Sequence, residues 1–375
     1  MKFKKAVATL FFIILPVFVF ANPTVDQLIS FYTFNADWTR ADSLLDAQIR
    51  ANPDQAKYYA LKAPFYFYTR YFAQAAVDPD SLMENVLKYS QTAIAIGEKE
   101  DMTLDDKLFV GTAYGFQSRY YGRRTDFWDA FWAARACRNY LNEVIDEDPS
   151  RADAYLGLDV IEYFSATRLT GFYGFIAWLV GMDGDREVAL QKFELVAEKG
   201  IYFKDEARFI LSMLYRYIEE DLTQAQKMNE TLAAQFPGNN FIALQNQQVR
   251  FLSLIEVEGI DVLEDSADSL DVKYGITNPG ILNGLGYTLT NQNRLDDAIR
   301  IFELNVRLFP DNANVYDSLS ETYEAAGKYE LAIKTARICL EKLEQDQTIN
   351  DEFRVRLRQI SNDRINALES RSADS

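Results

Sequence analysis

Residues 279–312, PGILNGLGYTLTNQNRLDDAIRIFELNVRLFPDN, run directly into residues 313–346, ANVYDSLSETYEAAGKYELAIKTARICLEKLEQD. In both segments large apolar residues recur at helical spacing, and a small residue stands where two helices would have to approach closely. Pro310 ends a helix because proline cannot continue one, and Gly327 lies in the turn between two helices. The pattern predicts helix–turn–helix units of about 34 residues, each too small to bury its own apolar face.

These segments resemble tetratricopeptide (TPR) repeats, whose pattern is W-x2-L-G-x2-Y, then an alanine, a phenylalanine four residues later and a proline. The resemblance implies an all-α, right-handed superhelical solenoid of about eight helix pairs with a C-terminal capping helix. A non-repetitive helical bundle is the alternative fold. The matching positions are Leu282, Leu285, Gly286, Leu289, Ala298, Phe302 and Pro310 in the first segment, and Tyr316, Leu319, Ser320, Tyr323, Ala332, Ala336 and Glu344 in the second.

The same template extends over residues 22–346, and residues 22–55 and 206–239 match it best outside the two C-terminal repeats. Residues 347–375 carry apolar residues on one face and charges on the other, which predicts a capping helix and a polar tail. In residues 206–239 the first helix fits the repeat positions with Ile210, Met213, Leu214 and Tyr217.

The N-terminus has the organisation of a secretory signal peptide. Three lysines within the first five residues precede an apolar stretch over residues 6–20, and Ala21 ends an A-x-A-like cleavage site. We expect cleavage after Ala21, and therefore a periplasmic or secreted protein with no stable membrane span. The alternative is an uncleaved anchor, for which the apolar stretch is short, since a spanning helix needs about 20 residues.

The chain is acidic, with 39 basic residues, 56 acidic residues and a formal net charge of −17. Cleavage of the signal peptide removes lysines and no acid, so the mature chain is more acidic still. Such a charge repels nucleic acid and predicts partners that are proteins or peptides, basic or neutral. The alternative is that the charge only keeps an exported protein soluble. The sequence does not indicate an oligomeric state.

Histidine is absent from the sequence. This excludes Ser-His and Cys-His nucleophile pairs and the usual general base near neutral pH, so we expect no enzyme and assign no catalytic residue, cofactor or metal ligand. The absence of histidine does not exclude glycosidase chemistry, which uses a pair of carboxylates. Cys137 and Cys339 lie many repeats apart, too far for a disulfide, and are expected to be buried thiols.

One repeat carries an insertion at about residues 168–185. Its apolar stretch is too short to span a bilayer. Three interpretations are open: it folds back onto the solenoid, it contacts a partner or covers a ligand, or it enters a membrane interface. The residues expected to make the contact are Phe172, Tyr173, Phe175 and Trp178.

Residues 171–190 also resemble a region of the eukaryotic inclusion-body-clearance TPR family and of exported bacterial TPR proteins of undefined role. That resemblance implies an adaptor or scaffold role. Asp185 also has a structural role available, because an acidic residue at a helix start caps free amides. The residues that carry the resemblance are Gly181, Gly184, Asp185, Arg186, Glu187, Ala189 and Leu190.

The TPR resemblance implies a trough lined by the first helix of each pair. At its C-terminal end the trough positions are polar to acidic, which excludes a clamp for a peptide's terminal carboxylate. At its N-terminal end they are aromatic, and either pack between repeats or form a groove for a ligand. The polar positions are Asn283, Tyr287, Asn291, Asn314, Asp317, Glu321 and Glu324, and the aromatic ones are Phe34, Phe67, Tyr68, Tyr163 and Phe164.

These observations predict an exported protein–protein interaction scaffold that binds partners in the groove of a TPR solenoid. The alternative is a binding protein for a peptide, a sugar or another small ligand, similar to TPR subunits of solute-uptake systems. It would use the aromatic N-terminal groove and the insertion.

Overall fold

The computed structural model describes residues 23–73, 78–168, 185–262, 276 and 278–373. The predicted signal peptide and the insertion residues Phe172, Tyr173, Phe175 and Trp178 lie outside the described residues, as do the side chains of residues 161, 164–168, 372 and 373.

Within the described residues the chain forms sixteen α-helices and no strand. The predicted all-α, TPR-like solenoid is confirmed. The helices are α1 (Val25–Phe34), α2 (Trp38–Ala51), α3 (Ala56–Phe72), α4 (Pro79–Gly97), α5 (Leu104–Arg123), α6 (Phe127–Glu147), α7 (Asp153–Arg168), α8 (Arg186–Lys199), α9 (Lys204–Tyr217), α10 (Leu222–Gln235), α11 (Asn240–Glu258), α12 (Pro279–Asn291), α13 (Leu295–Leu308), α14 (Ala313–Ala325), α15 (Tyr329–Leu343) and α16 (Asp351–Ala373).

Successive helices pack as pairs, and each pair packs on the next. The same backbone turn joins the two helices of several pairs. One residue of that turn has a left-handed conformation, with φ of 60° at Ala36, 62° at Thr125, 55° at Glu220, 60° at Asn293 and 73° at Gly327. Glycine adopts this conformation without strain and asparagine tolerates it, whereas Ala36, Thr125 and Glu220 do so rarely. The recurrence of the turn at non-glycine residues shows that packing of the helix pair imposes it.

Small residues allow the two helices of a pair to approach, as the sequence predicts. A side chain at Gly286 would meet the Phe302 ring, because an ideal Cβ there lies 2.5 Å from Cζ of that ring. In the next pair the Ser320 hydroxyl donates to the Ala332 carbonyl at 2.8 Å. Tyr323 then donates from α14 to Glu303 of the preceding pair at 2.5 Å. These contacts link helices within and between pairs.

Helix α9 differs in register from the sequence prediction, which placed Tyr217 in the position equivalent to Tyr323. The structure places Tyr215 there, since its hydroxyl donates to Glu194 of the preceding pair at 2.7 Å. Tyr217 is 49% exposed. Nine of the fourteen residues of α9 are buried, on more than one face of the helix, so apolar spacing alone does not separate the two registers.

The first pair also contacts the fifth and sixth pairs, far away in sequence. Asn239, which caps α11, donates its side-chain amide to the Phe34 carbonyl at 2.8 Å. The Gly238 backbone amide donates to Asn35 at 2.8 Å, and the Ser30 hydroxyl donates to Asp205 at 3.0 Å. The N-terminal pairs therefore turn back on themselves, and α9 to α11 lie against the first helices α1 and α3.

Candidate interaction site

The predicted aromatic groove lies in this self-contact. Phe34 is 4% exposed and Tyr68 is 2% exposed, while Phe67 is partly buried. The Phe34 ring lies 5.6 Å from the ring of Phe236 on the far side and 5.2 Å from that of Tyr68. We call this aromatic contact of α1 and α3 with α9 to α11 the closed face. Its members are Phe31, Phe34, Tyr68, Phe72, Phe209, Phe236 and Phe241.

A buried ion pair lies beside the closed face. Arg119 of α5 contacts Glu206 of α9 at 2.9 Å, and the Glu206 side chain is 3% exposed. Burial raises the pKa of the Tyr68 phenol, and the nearby Glu206 raises it further. These groups come from three different helix pairs, so the ion pair fixes how the pairs meet.

The space left between these helices is small. A cavity of about 40 Å³ is lined by Ser30, Phe34, Phe65, Tyr68 and Glu206, among others. One water needs roughly 10–15 Å³ of such space, whereas ligand pockets measure about 300–1,000 Å³. In this arrangement the aromatic residues serve packing. Their use as a binding groove stays a prediction that requires the first pair to move away from α10 and α11.

Tyr163, the fourth predicted groove residue, is fully buried and donates its hydroxyl to Glu219. Arg186, which opens α8, forms an ion pair with the same carboxylate. Asp185 caps that helix as predicted, accepting from the amides of Glu187 and Val188 at 2.9 and 3.1 Å. Phe164 lies in α7, and its side chain is outside the described residues.

The C-terminal first helices carry a different surface. The Tyr287 hydroxyl of α12 contacts two side chains of α14, Ser318 at 3.1 Å and Glu321 at 2.9 Å. Asn291 and Glu321 are exposed, and Asn283, Tyr287, Asn314 and Glu324 are partly buried. We call these six residues, on the first helices of two consecutive pairs, the polar ladder.

Asp317, predicted to face the trough beside them, is only 7% exposed. The last helix, α16, covers it, with Arg364 contacting Asp317 at 2.5 Å and Glu324 at 3.3 Å. Burial raises the pKa of the Asp317 carboxyl, and the Arg364 guanidinium opposes that rise. The sequence predicts the capping helix but does not mark Arg364 as a buried residue, because α16 carries many charges and their spacing does not distinguish the one that faces inward.

The two cysteines are buried free thiols, as predicted, and burial raises the pKa of the Cys137 thiol to about 12. The described residues contain no group of three or more histidine, cysteine or acidic side chains that could hold a metal ion. None of the described helices is both long and apolar enough to cross a membrane.

Comparison with known proteins gave structural likeness alone. No protein-family model matches the chain, and no curated protein matches its sequence. Cut9 in the APC/C hetero-tetramer Cut9–Hcn1 is 13% identical over 88% of this chain and 59% of that chain, with a TM-score of 0.34. Yeast Tom70 is 12% identical over 93% of this chain and 89% of that chain, with a TM-score of 0.25. The TPR domain of P58(IPK) is 15% identical over 93% and 98%, with a TM-score of 0.23.

Proposed function

We propose that this chain is an exported interaction scaffold that binds an extended segment of another protein along the polar ladder. The observation that carries the proposal is the contrast in accessibility. Aromatic side chains on the N-terminal first helices are buried against the chain itself, while Asn291 and Glu321 on the C-terminal first helices are exposed. A partner can reach the polar ladder without any rearrangement.

The charges of the polar ladder favour a segment with a basic side chain. Glu321 is exposed and Glu324 is half-buried, and no lysine or arginine belongs to the ladder. Arg364 of α16 pairs with both Asp317 and Glu324, so Glu321 carries the accessible negative charge. Complementary charge speeds association and selects partners more than it raises affinity. The net charge of −17 supports a protein partner over a nucleic acid.

Charge reversal tests this proposal. Glu321→Lys should abolish capture of the partner from the exported fraction, because it places a cation beside the partner's basic side chain. Glu330→Lys on α15 is the matched control, since Glu330 is also exposed and lies on the second helix of its pair, outside the ladder. Capture should survive in the control. Equal loss in both variants, or capture unaffected by Glu321→Lys, would contradict binding at the polar ladder.

Export needs a separate test, because it rests on the sequence of residues 1–21 alone. Cells that produce the full chain should release a product beginning at Asn22, identified by N-terminal sequencing of the exported fraction. A chain without residues 2–21 should remain in the cytoplasm of the producing cells. Recovery of an uncleaved, membrane-bound chain would instead support the anchor.

A further inference from the structure

One buried arginine has no acidic partner among the described residues. Arg216, near the end of α9, is 6% exposed. Its two terminal nitrogens donate to the amide oxygens of Gln245 and Gln248, the second bond measuring 2.8 Å, and its Nε finds no acceptor. A guanidinium carries five N–H donors, so these two neutral acceptors satisfy it incompletely. Burial without a counter-charge lowers the pKa of Arg216.

Two other arginines in the chain's interior, in contrast, have an acidic partner. Arg364, whose side chain is 8% exposed, contacts Asp317 at 2.5 Å, and Arg119 contacts Glu206 at 2.9 Å. The chain holds 56 acidic residues, yet none of those described lies within ion-pair distance of Arg216. A buried charge without a partner is costly to keep. An acidic group brought by another molecule would supply the missing counter-charge.

The position of Arg216 connects it to the proposed binding surface. Its two acceptors belong to α11, and Gln248 in turn donates to the Gly280 carbonyl of α12 at 3.5 Å. These contacts join the first helices of successive pairs, which are the helices that continue into the polar ladder. Gly284 leaves room for Gln248, because an ideal Cβ there would lie 2.5 Å from Nε2 of that side chain.

Tyr217 forms the solvent edge of this cluster. Tyr217 is 49% exposed, its ring centroid lies 4.6 Å from the Arg216 guanidinium carbon, and its hydroxyl donates to Gln245 at 3.3 Å. The Gln245 amide also carries N–H donors, and a rotation of its side chain would turn these toward an incoming anion. Arginine matches the planar, two-oxygen geometry of a carboxylate.

We propose that Arg216 binds a carboxylate of the partner, an acidic side chain in the same extended segment that lies along the polar ladder. This inference rests on the proposed function and refines it. The segment then carries an acidic residue at the Arg216 end and a basic residue at the Glu321 end, which fixes its direction along the first helices.

The test uses the chain from Asn22 onward and three probes: sodium acetate, a peptide with blocked ends and a single glutamate, and the same peptide with glutamine. The unfolding temperature is followed at constant ionic strength with chloride as the reference anion. The glutamate peptide should raise it more than the glutamine peptide. Arg216→Gln should weaken the apparent affinity for the glutamate peptide by about 30-fold or more. The variant should then show no preference for the glutamate peptide over the glutamine peptide.

Arg250→Gln is the matched control, because Arg250 is exposed on α11 and its loss changes the net charge equally. This variant should keep the preference for glutamate. Arg216→Lys is a second variant, which keeps the charge and loses the planar fork, and should bind the glutamate peptide weakly. The unfolding temperature in chloride shows whether each variant is folded.

Three results would overturn the inference: no preference for glutamate in the parent chain, an unchanged preference in Arg216→Gln, or stabilisation by acetate with none by the glutamate peptide. The last would identify a site for free small carboxylates. Partner capture separates this outcome from the proposed function. If Glu321→Lys abolishes capture while Arg216→Gln leaves the preference for the glutamate peptide unchanged, the inference about Arg216 fails and the scaffold proposal stands.

Discussion

The closed face and the polar ladder occupy equivalent positions on the same scaffold, the first helices of stacked pairs. At the closed face these positions hold Phe34 and Tyr68, which are buried against α9 to α11. At the polar ladder they hold residues such as Asn291 and Glu321, which remain exposed. Helix pairing alone therefore does not decide whether the first-helix surface is available.

Residue type and the curvature of the solenoid together decide whether the first-helix surface is accessible. Burial of aromatic side chains stabilises the folded state. The turn of the N-terminal pairs brings α10 and α11 close enough to bury those of α1 and α3. Asparagine and glutamate would lose hydration on burial without partners. A solenoid that closes its aromatic end and keeps its polar end open has a closed half and a half accessible to partners.

The largest expected effect is at the closed face. Phe34→Ala should lower the free energy of unfolding by about 3–5 kcal/mol, because Phe34 is 4% exposed and packs on rings from three helices. Urea denaturation followed by circular dichroism measures the loss. Trp128→Ala is the control, since Trp128 is 70% exposed and should cost far less. Equal losses would mean that the closed face does not hold the first pair in place.

The next effect is at the boundary between the polar ladder and the capping helix. Asp317→Asn should cost about 1.5–3 kcal/mol, the range for hydrogen bonds to charged groups, because it leaves Arg364 with Glu324 alone. Glu344→Gln is the control. Its ion pair with Arg358 also holds α16, at 2.7 Å, and has side chains 66% and 41% exposed, so its loss should cost less than about 1 kcal/mol.

If Asp317→Asn costs no more than Glu344→Gln in urea denaturation, Asp317 is a solvated ladder residue, and the cap does not cover it. That outcome would extend the accessible surface by one acidic position and would strengthen the case for a basic partner.

The sequence predicted the local part of this structure well, for a physical reason. Helix pairing, the turn at Gly327 and the close approach at Gly286 depend on residues within one unit of about 34 positions, and all of these are present. The closed face depends on contacts such as Ser30 with Asp205, 175 residues apart in sequence. Such contacts follow from accumulated curvature, which no single repeat encodes.

The candidate binding residues divide along the same line. The polar positions of α12 and α14 lie on neighbouring helices, where Tyr287 donates to Glu321. Asp317 instead forms an ion pair with Arg364 of α16. Arg216 was not singled out in the sequence because a lone arginine on a helix is unremarkable there. What distinguishes it is the absence of an acidic partner, and that is visible only when its neighbours in space are known.

A third prediction concerns Asp159 of α7, in the half of the chain that contains the closed face. Asp159 is fully buried and neither of its oxygens accepts a hydrogen bond, with Lys192 Nζ 3.9 Å away. Burial raises the pKa of its carboxyl from 3.8 to about 9. The folded state therefore binds more protons than the unfolded state between about pH 4 and pH 9, and this group lowers the free energy of unfolding as pH rises through that window.

Asp159→Asn removes this dependence, so the slope of unfolding free energy against pH should become less negative by about 1 kcal/mol per pH unit. Urea denaturation at several pH values measures it. Glu162→Gln, a neighbouring and less buried residue of the same helix, serves as the comparison and should leave the slope nearly unchanged. An identical slope in the parent chain and Asp159→Asn would show that this carboxyl reaches water or a partner.

The smallest expected change in stability belongs to the polar ladder itself. Glu321→Gln should alter the free energy of unfolding by no more than about 0.5 kcal/mol, because Glu321 is exposed and the Tyr287 hydroxyl keeps an acceptor in Ser318 at 3.1 Å. The same substitution should weaken partner capture, because it removes an accessible negative charge. Phe34→Ala should show the reverse pattern, a large loss of stability with capture retained under conditions where the variant stays folded. If Glu321→Gln instead destabilises the chain as much as Asp317→Asn does, the ladder is part of the packed structure, and the division between a closed half and an accessible half does not hold.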